Sequence, residues 1–163
     1  MKLSTLAGSV VAAILITVTS LAATPKVDLN GTWALDKDRS EGVPPGMDQT
    51  MTVNHTGNQV DVEMKVTGNQ GERVVKDQFI LDGKETDFTP APQSKGKRTS
   101  KWTADGKGFD VTETATIDRG KGPEEFKVTR HWQLSDDDKT LTIEMTFNEP
   151  SGPGKSKRIF VKK

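Results

Sequence analysis

The chain contains no cysteine. No disulfide can staple its fold, and a lipid-modified N-terminal cysteine is excluded. Histidine is scarce, with only His55 and His131. They fall on different strands and faces, so no metal site is expected. A nucleophile elbow and a phosphate-cradling glycine loop are both missing. The serines cannot be grouped with a histidine and a carboxylate into a triad. Neither an enzyme nor a cofactor is expected. Aromatic residues make up 6% of the chain. Basic and acidic residues number 23 each, with no dominant basic block, which argues against nucleic acid as a partner.

What is present begins with an apolar leader. "MKLSTLAGSVVAAILITVTSLAA" has a basic Lys2, an apolar run from about Leu6 to Val18 and small residues at its end, the layout of a secretory signal peptide. Ser20 and Ala22 fit a small-x-small rule, so cleavage is expected after Ala22, with Ala23 the alternative. Residues 1–22 are then signal peptide and 23–163 a single domain. The run falls short of the roughly 20 apolar residues of a spanning helix, so no membrane anchor is expected after cleavage. The short leader with one lysine has a bacterial look, and the expected location is the periplasm or outside the cell. The remainder must be held by a core alone, and its length suffices to bury one.

Beyond the leader no segment has helical periodicity. Apolar residues recur at period two, Thr, Val and Phe are common, and Gly, Asn, Asp and Pro interrupt at short intervals. The runs are "GTWALD", "DQTMTVNH", "NQVDVEMKV", "ERVVKDQFIL", "KETDF", "RTSKWTA", "GFDVTETATI", "EEFKVTRHWQL", "KTLTIEMTF" and "KRIFVK". They predict an all-β fold, an antiparallel up-and-down meander closed into a barrel of about 8–10 strands. A monomer is expected.

Turn chemistry proposes registers. Asp105-Gly106 reads as a two-residue type I′ turn. It pairs Trp102 with Phe109, Ser100 with Val111 and Arg98 with Glu113. Across the longer connection "DRGKGPEE", hydrophobic matching pairs Val111 with Trp132, Ala115 with Val128 and Glu113 with Arg130. A shift of two residues would keep the faces and change the partners.

Under these registers Arg98, Glu113 and Arg130 form one row on the face that also carries Trp102, Phe109, Val111, Val128 and Trp132. Charges on an apolar face need partners, and one glutamate can hold both guanidinium groups. Two arginines against one glutamate leave a positive charge over, which suits an anionic ligand. Two readings stand: a structural bridge that fixes register, or a ligand anchor. His55, in the "HTGN" turn, reads as solvated, and His131 as a surface residue. Asp136–Asp138 read as a solvated hairpin turn, because they lack the loop pattern of a calcium-binding hand. Asn54 of "NHT" is read as a chance sequon match.

"DLNGTWALD" resembles the opening Gly-x-Trp strand of the lipocalin and calycin group, with Gly31 and Trp33 as the matching residues. "GTWALDKDRS" and "LSDDDKTLTIEM" are similar to phrases in small exported bacterial lipocalin-like proteins. The resemblance implies that Trp33 closes one end of a barrel and that a late arginine, Arg130 or Arg158, packs across it. It also implies an interior ligand. "KDRSEGVPPGM" is too short for the two-helix lid of fatty-acid-binding proteins, and "NEPSGPGKSKRIF" leaves no room for the lipocalin helix. Any gate is therefore a loop. The first expectation is a small hydrophobic molecule, with a carboxylate as the group held by Arg98 and Arg130. Glu113 would hold these arginines, and Trp102, Phe109, Trp132, Met145 and Phe147 would form the wall. The alternative is an envelope structural or interaction barrel filled by its own side chains.

Overall fold

A computed structural model describes residues 27–90, 94–118, 120, 122–149 and 152–163. The expected signal peptide lies outside the described residues. Ten strands follow in chain order: β1 (Gly31–Leu35), β2 (Asp48–Thr56), β3 (Gln59–Gly68), β4 (Gly71–Ile80) and β5 (Asp82–Phe88), then β6 (Lys95–Trp102), β7 (Gly108–Asp118), β8 (Pro123–Leu134), β9 (Thr140–Glu149) and β10 (Gly152–Lys162). They form one antiparallel sheet in the order β4-β3-β2-β1-β10-β9-β8-β7-β6-β5. Sequence neighbours pair except for β4 and β5, and β1 pairs with β10, joining the first strand of the meander to the last.

The sheet curls until its two ends face each other, giving the expected lipocalin-like barrel. Strands β4 and β5 are the ends of the hydrogen-bonded order, so side chains close that seam. Arg98 of β6 reaches across it to Asp77 and to the Gln78 carbonyl of β4. Strand β10 is longer than "KRIFVK" suggested. Its N-terminal half, "GPGKS", lacks an apolar alternation, yet its backbone pairs with β9 from Gly152 onward. Gly154 is needed there, because the Phe147 ring lies where a Cβ would be.

Period-two alternation puts one row of each strand inside. Trp33, Met51, Val53, Val60, Phe79, Phe109 and Phe160 are all essentially buried in a continuous core. Phe109 stacks on Trp132 with ring centroids 4.9 Å apart and 18° between planes, and Phe79 tilts against both. Trp33 is fully buried and donates its indole N–H to the Leu29 carbonyl at 3.2 Å. The residue across its ring is Lys162, with Nζ 5.2 Å from the ring centroid, and neither Arg130 nor Arg158. The chain end supplies that cation because β10 pairs with β1, which sets Lys162 opposite Trp33.

The β6–β7 register is as expected: Arg98 opposes Glu113, and Trp102 opposes Phe109. The turn between them is not type I′. Only Gly106 has positive φ, at 68°, and Thr103 pairs with Gly108 around a four-residue loop. The β7–β8 register differs by two residues. Val111 opposes Arg130, Glu113 opposes Val128, and Phe109 opposes Trp132. The connection ends in an Asp118–Pro123 pair with Gly120 and Gly122 at positive φ, so two glycines set its length and hydrophobic matching does not. The faces survive the shift, because side chains repeat every two residues.

Candidate functional site

The Arg98–Glu113–Arg130 group exists, but with altered geometry and a fourth member. Glu113 is 2% exposed at the centre. Arg98 Nε donates to Glu113 Oε1 at 2.7 Å, and Arg130 Nη1 donates to the same oxygen at 2.9 Å. Arg130 comes from a diagonal position on β8, since it stands opposite Val111. Arg98 also donates to both carboxylate oxygens of Asp77, at 2.6 and 3.2 Å. Its guanidinium carbon lies 4.9 Å from the Phe79 ring centroid and 4.7 Å from that of Phe88. Arg98 therefore ties β4, β6 and β7 together, and its donors are largely taken. Arg130 gives one bond to Glu113 and keeps further N–H groups.

The surplus charge expected of the row is absorbed by Asp77. Two cations and two carboxylates cancel. The sequence could not show this, because Asp77 and Arg98 are joined only when the curled sheet brings its ends together.

Beside this group lies a half-open cavity of about 380 Å³, with the exposed Val75 and Arg73 in its lining. Its apolar wall comes from Val62, Met64, Val66, Phe79, Trp132, Ile143, Met145 and Phe160. Arg73, Asp77, Arg130 and Arg158 are its charged lining, joined by Gln49 and Ser156. Among the described residues Arg158 meets no carboxylate; it donates to the carbonyls of Glu41 and Gly42, in the loop between β1 and β2. Burial pushes its pKa down, yet a guanidinium stays charged near neutrality. Arg73 sits at the mouth, where Pro44, Pro45 and Met47 of the same loop face the β3–β4 turn. Two donors on the cavity wall are buried without a partner among the described residues: Trp132 Nε1 and Ser156 Oγ.

Of the expected site residues, Arg130, Trp132 and Met145 line this cavity. Arg98 and Glu113 stand behind Arg130. Phe109 is in the packed core, and Phe147 covers Gly154. Trp102 is half-buried at the β2–β3 end, 5.2 Å from the His55 ring, and its indole N–H donates to Asn58. His55 is correspondingly a β2 strand residue packed on Trp102 and not a free turn residue. Gly31 and Trp33 belong to the packed region under Lys162. His131 faces outward, with Nδ1 2.7 Å from Asp110. The Asp136–Asp138 run forms the β8–β9 turn, where Asp137 accepts from Ser135 and from the Lys139 amide.

Arg73 was not singled out in the sequence, and Arg158 only as a partner for Trp33 and not as a cavity residue, although a signal for both existed. Arg158 shares a strand face with Phe160, and Arg73 shares one with Val75, Asp77 and Phe79. Val74 beside Val75 and Ile159 beside Phe160 put apolar residues on both faces and hid the alternation.

The chain matches no family model, and no curated protein matches it. Among solved structures, that of zebrafish ileal bile acid-binding protein complexed with cholic acid is similar, with a TM-score of 0.50 and 18% identity. The match covers 82% of this chain and 98% of that one. At this identity the likeness shows the fold alone: an all-β, antiparallel up-and-down barrel.

Proposed function

We propose that the protein binds a small hydrophobic molecule bearing an anionic group, such as a carboxylate, inside the barrel. The observation that carries this reading is the cavity itself: about 380 Å³, mostly apolar, with the partly free guanidinium of Arg130 in its wall. The volume falls within the range of small-molecule pockets, and a few fixed polar groups on an apolar wall are what orient an amphipathic ligand. The zebrafish protein of like fold is named for binding bile acid and holds cholic acid, which supports a small-molecule role for this shape. A barrel filled by its own side chains is disfavoured by the same cavity.

In this reading the protein is a carrier or sensor and not an enzyme. It acts as an exported monomer in the periplasm or outside the cell. Dodecanoate titrated against tryptophan fluorescence tests the binding claim, since Trp132 is on the wall. A saturable change is expected, and Arg130→Met should weaken it about tenfold or more, the scale of a charge-assisted hydrogen bond. Absence of any response, or a response indifferent to Arg130→Met, would remove the reading.

A further inference from the structure

The charges around the cavity do not cancel. Arg98, Arg130, Asp77 and Glu113 form a neutral group. Arg73 and Arg158 are left, both lining the cavity and neither paired with a carboxylate among the described residues. The site therefore holds two uncompensated positive charges.

Its neutral donors point the same way. On the inner face Arg130, Met145 and Ser156 stand in one row across β8, β9 and β10, and Trp132, Ile143 and Arg158 stand in the next. The residues that carry these donors thus stand at the four corners of a patch two strand spacings wide, about 10 Å between backbones, with the long arginine arms reaching to Glu113 and to the Glu41–Gly42 loop. Met145 and Ile143 lie between these corners. Trp132 is 3% exposed, and among the described residues its indole N–H has no acceptor and the buried Ser156 Oγ no partner. Buried donors normally find acceptors, and an unmade bond is costly. Arg130, Arg158, Ser156 and Trp132 together offer more donors than the two oxygens of one carboxylate can accept.

We propose that the preferred ligand carries a dianionic, multi-oxygen head, specifically that of an amphipathic phosphomonoester, seated among Arg130, Arg158, Trp132 Nε1 and Ser156 Oγ. The inference rests on the reading of the cavity as a ligand site and sharpens its chemistry. A phosphomonoester supplies three terminal oxygens and, above its second pKa near 6, close to two negative charges. Its alkyl part would lie on Val62, Met64 and Phe79.

The experiment compares dodecyl phosphate, dodecanoate and inorganic phosphate by calorimetry near pH 8. Dodecyl phosphate is expected to bind about tenfold tighter than dodecanoate, and inorganic phosphate far more weakly than either. Arg158→Gln should reduce the phosphate advantage to less than about threefold while changing dodecanoate binding little. Because that variant also releases the Glu41–Gly42 loop, Ser156→Ala serves as a second, milder probe. It should weaken dodecyl phosphate about threefold with the melting temperature unchanged. Equal affinity for the two amphiphiles overturns the dianion while leaving the ligand site standing. Persistence of the full phosphate advantage in both variants also overturns it. Inorganic phosphate binding as tightly as dodecyl phosphate would overturn the amphipathic part. Failure of every probe would overturn this proposal together with the reading beneath it.

Discussion

Gly31 sits at φ 140°, and a Cβ there would fall 2.9 Å from Lys162 Cε. A bare Cα lets the lysine stem cross to the face of Trp33, where its ammonium meets the ring. Gly31→Ala should therefore destabilise by about 1–2 kcal/mol, combining backbone strain with a displaced lysine. Urea unfolding would show it, and an unchanged midpoint would mean that neither the angle nor the approach matters. Asp138 poses the opposite case. Its loop repeats that of Asp105: Thr103 and Ser135 cap equivalent turns, and Asp138 stands at φ 56° where the first turn has Gly106 at 68°. A left-handed non-glycine residue costs about 1–2 kcal/mol, and added unfolded-chain freedom returns about 0.4–1 of it. Asp138→Gly should thus raise stability by about 0.5 kcal/mol, read as a higher melting temperature; a lower one would refute the comparison.

Strand faces were legible in the sequence, and strand partners only where a short turn fixed them. Trp102 and Phe109 face each other as expected because the expected two-residue turn and the observed four-residue loop share one centre, and so one register. Arg130 opposes Val111 rather than Glu113 because Gly120 and Gly122 set the length of the connection before β8, which hydrophobic matching across it does not reveal. Its charge still finds Glu113, since a long guanidinium arm spans a diagonal. Asp77 was beyond reach, as its meeting with Arg98 is a property of the curled sheet and of no hairpin. The seam between β4 and the β5–β6 hairpin depends on that contact. Arg98→Met would leave Asp77 without its cation and Glu113 with Arg130 alone. The expected loss is about 3 kcal/mol, the scale of a broken, largely buried ion pair. Hydrogen exchange should quicken first in β4 and β5, the sheet's two ends. Uniform acceleration across all ten strands would mean that Arg98 supports the core generally and not the seam.

At the scale of the whole molecule, stability is distributed over many small turn contacts around one core, and pH probes them together. The carboxyls of Asp28, Asp36, Asp61, Asp87, Asp105 and Asp137 are all held below their usual 3.8. The leading cause at Asp28 is a hydrogen bond from the Asn30 amide. At the others it is a side-chain hydrogen bond: from Arg39 to Asp36, Gln78 to Asp61, Lys97 to Asp87, Thr103 to Asp105 and Ser135 to Asp137. A depressed folded pKa gives stability that is present above the unfolded value and lost as pH falls through the folded one. Lys97 and Lys107 are shifted upward from 10.5, mainly by hydrogen bonds to Asp87 and Asp136. Their contribution is complete below 10.5 and is lost as pH rises through the higher folded value. These groups are at the surface, so each acts weakly and is screened by salt. Their sum should nevertheless set both flanks of the stability profile. The urea midpoint is expected to decline below about pH 3.8 and again above about pH 10.5, with both declines shallower in high salt. Asp61→Asn would remove one titrating carboxyl and should flatten the acid decline. A midpoint that rose on acidification below pH 3.8 would show that these carboxylates oppose the fold, contrary to every hydrogen bond they accept.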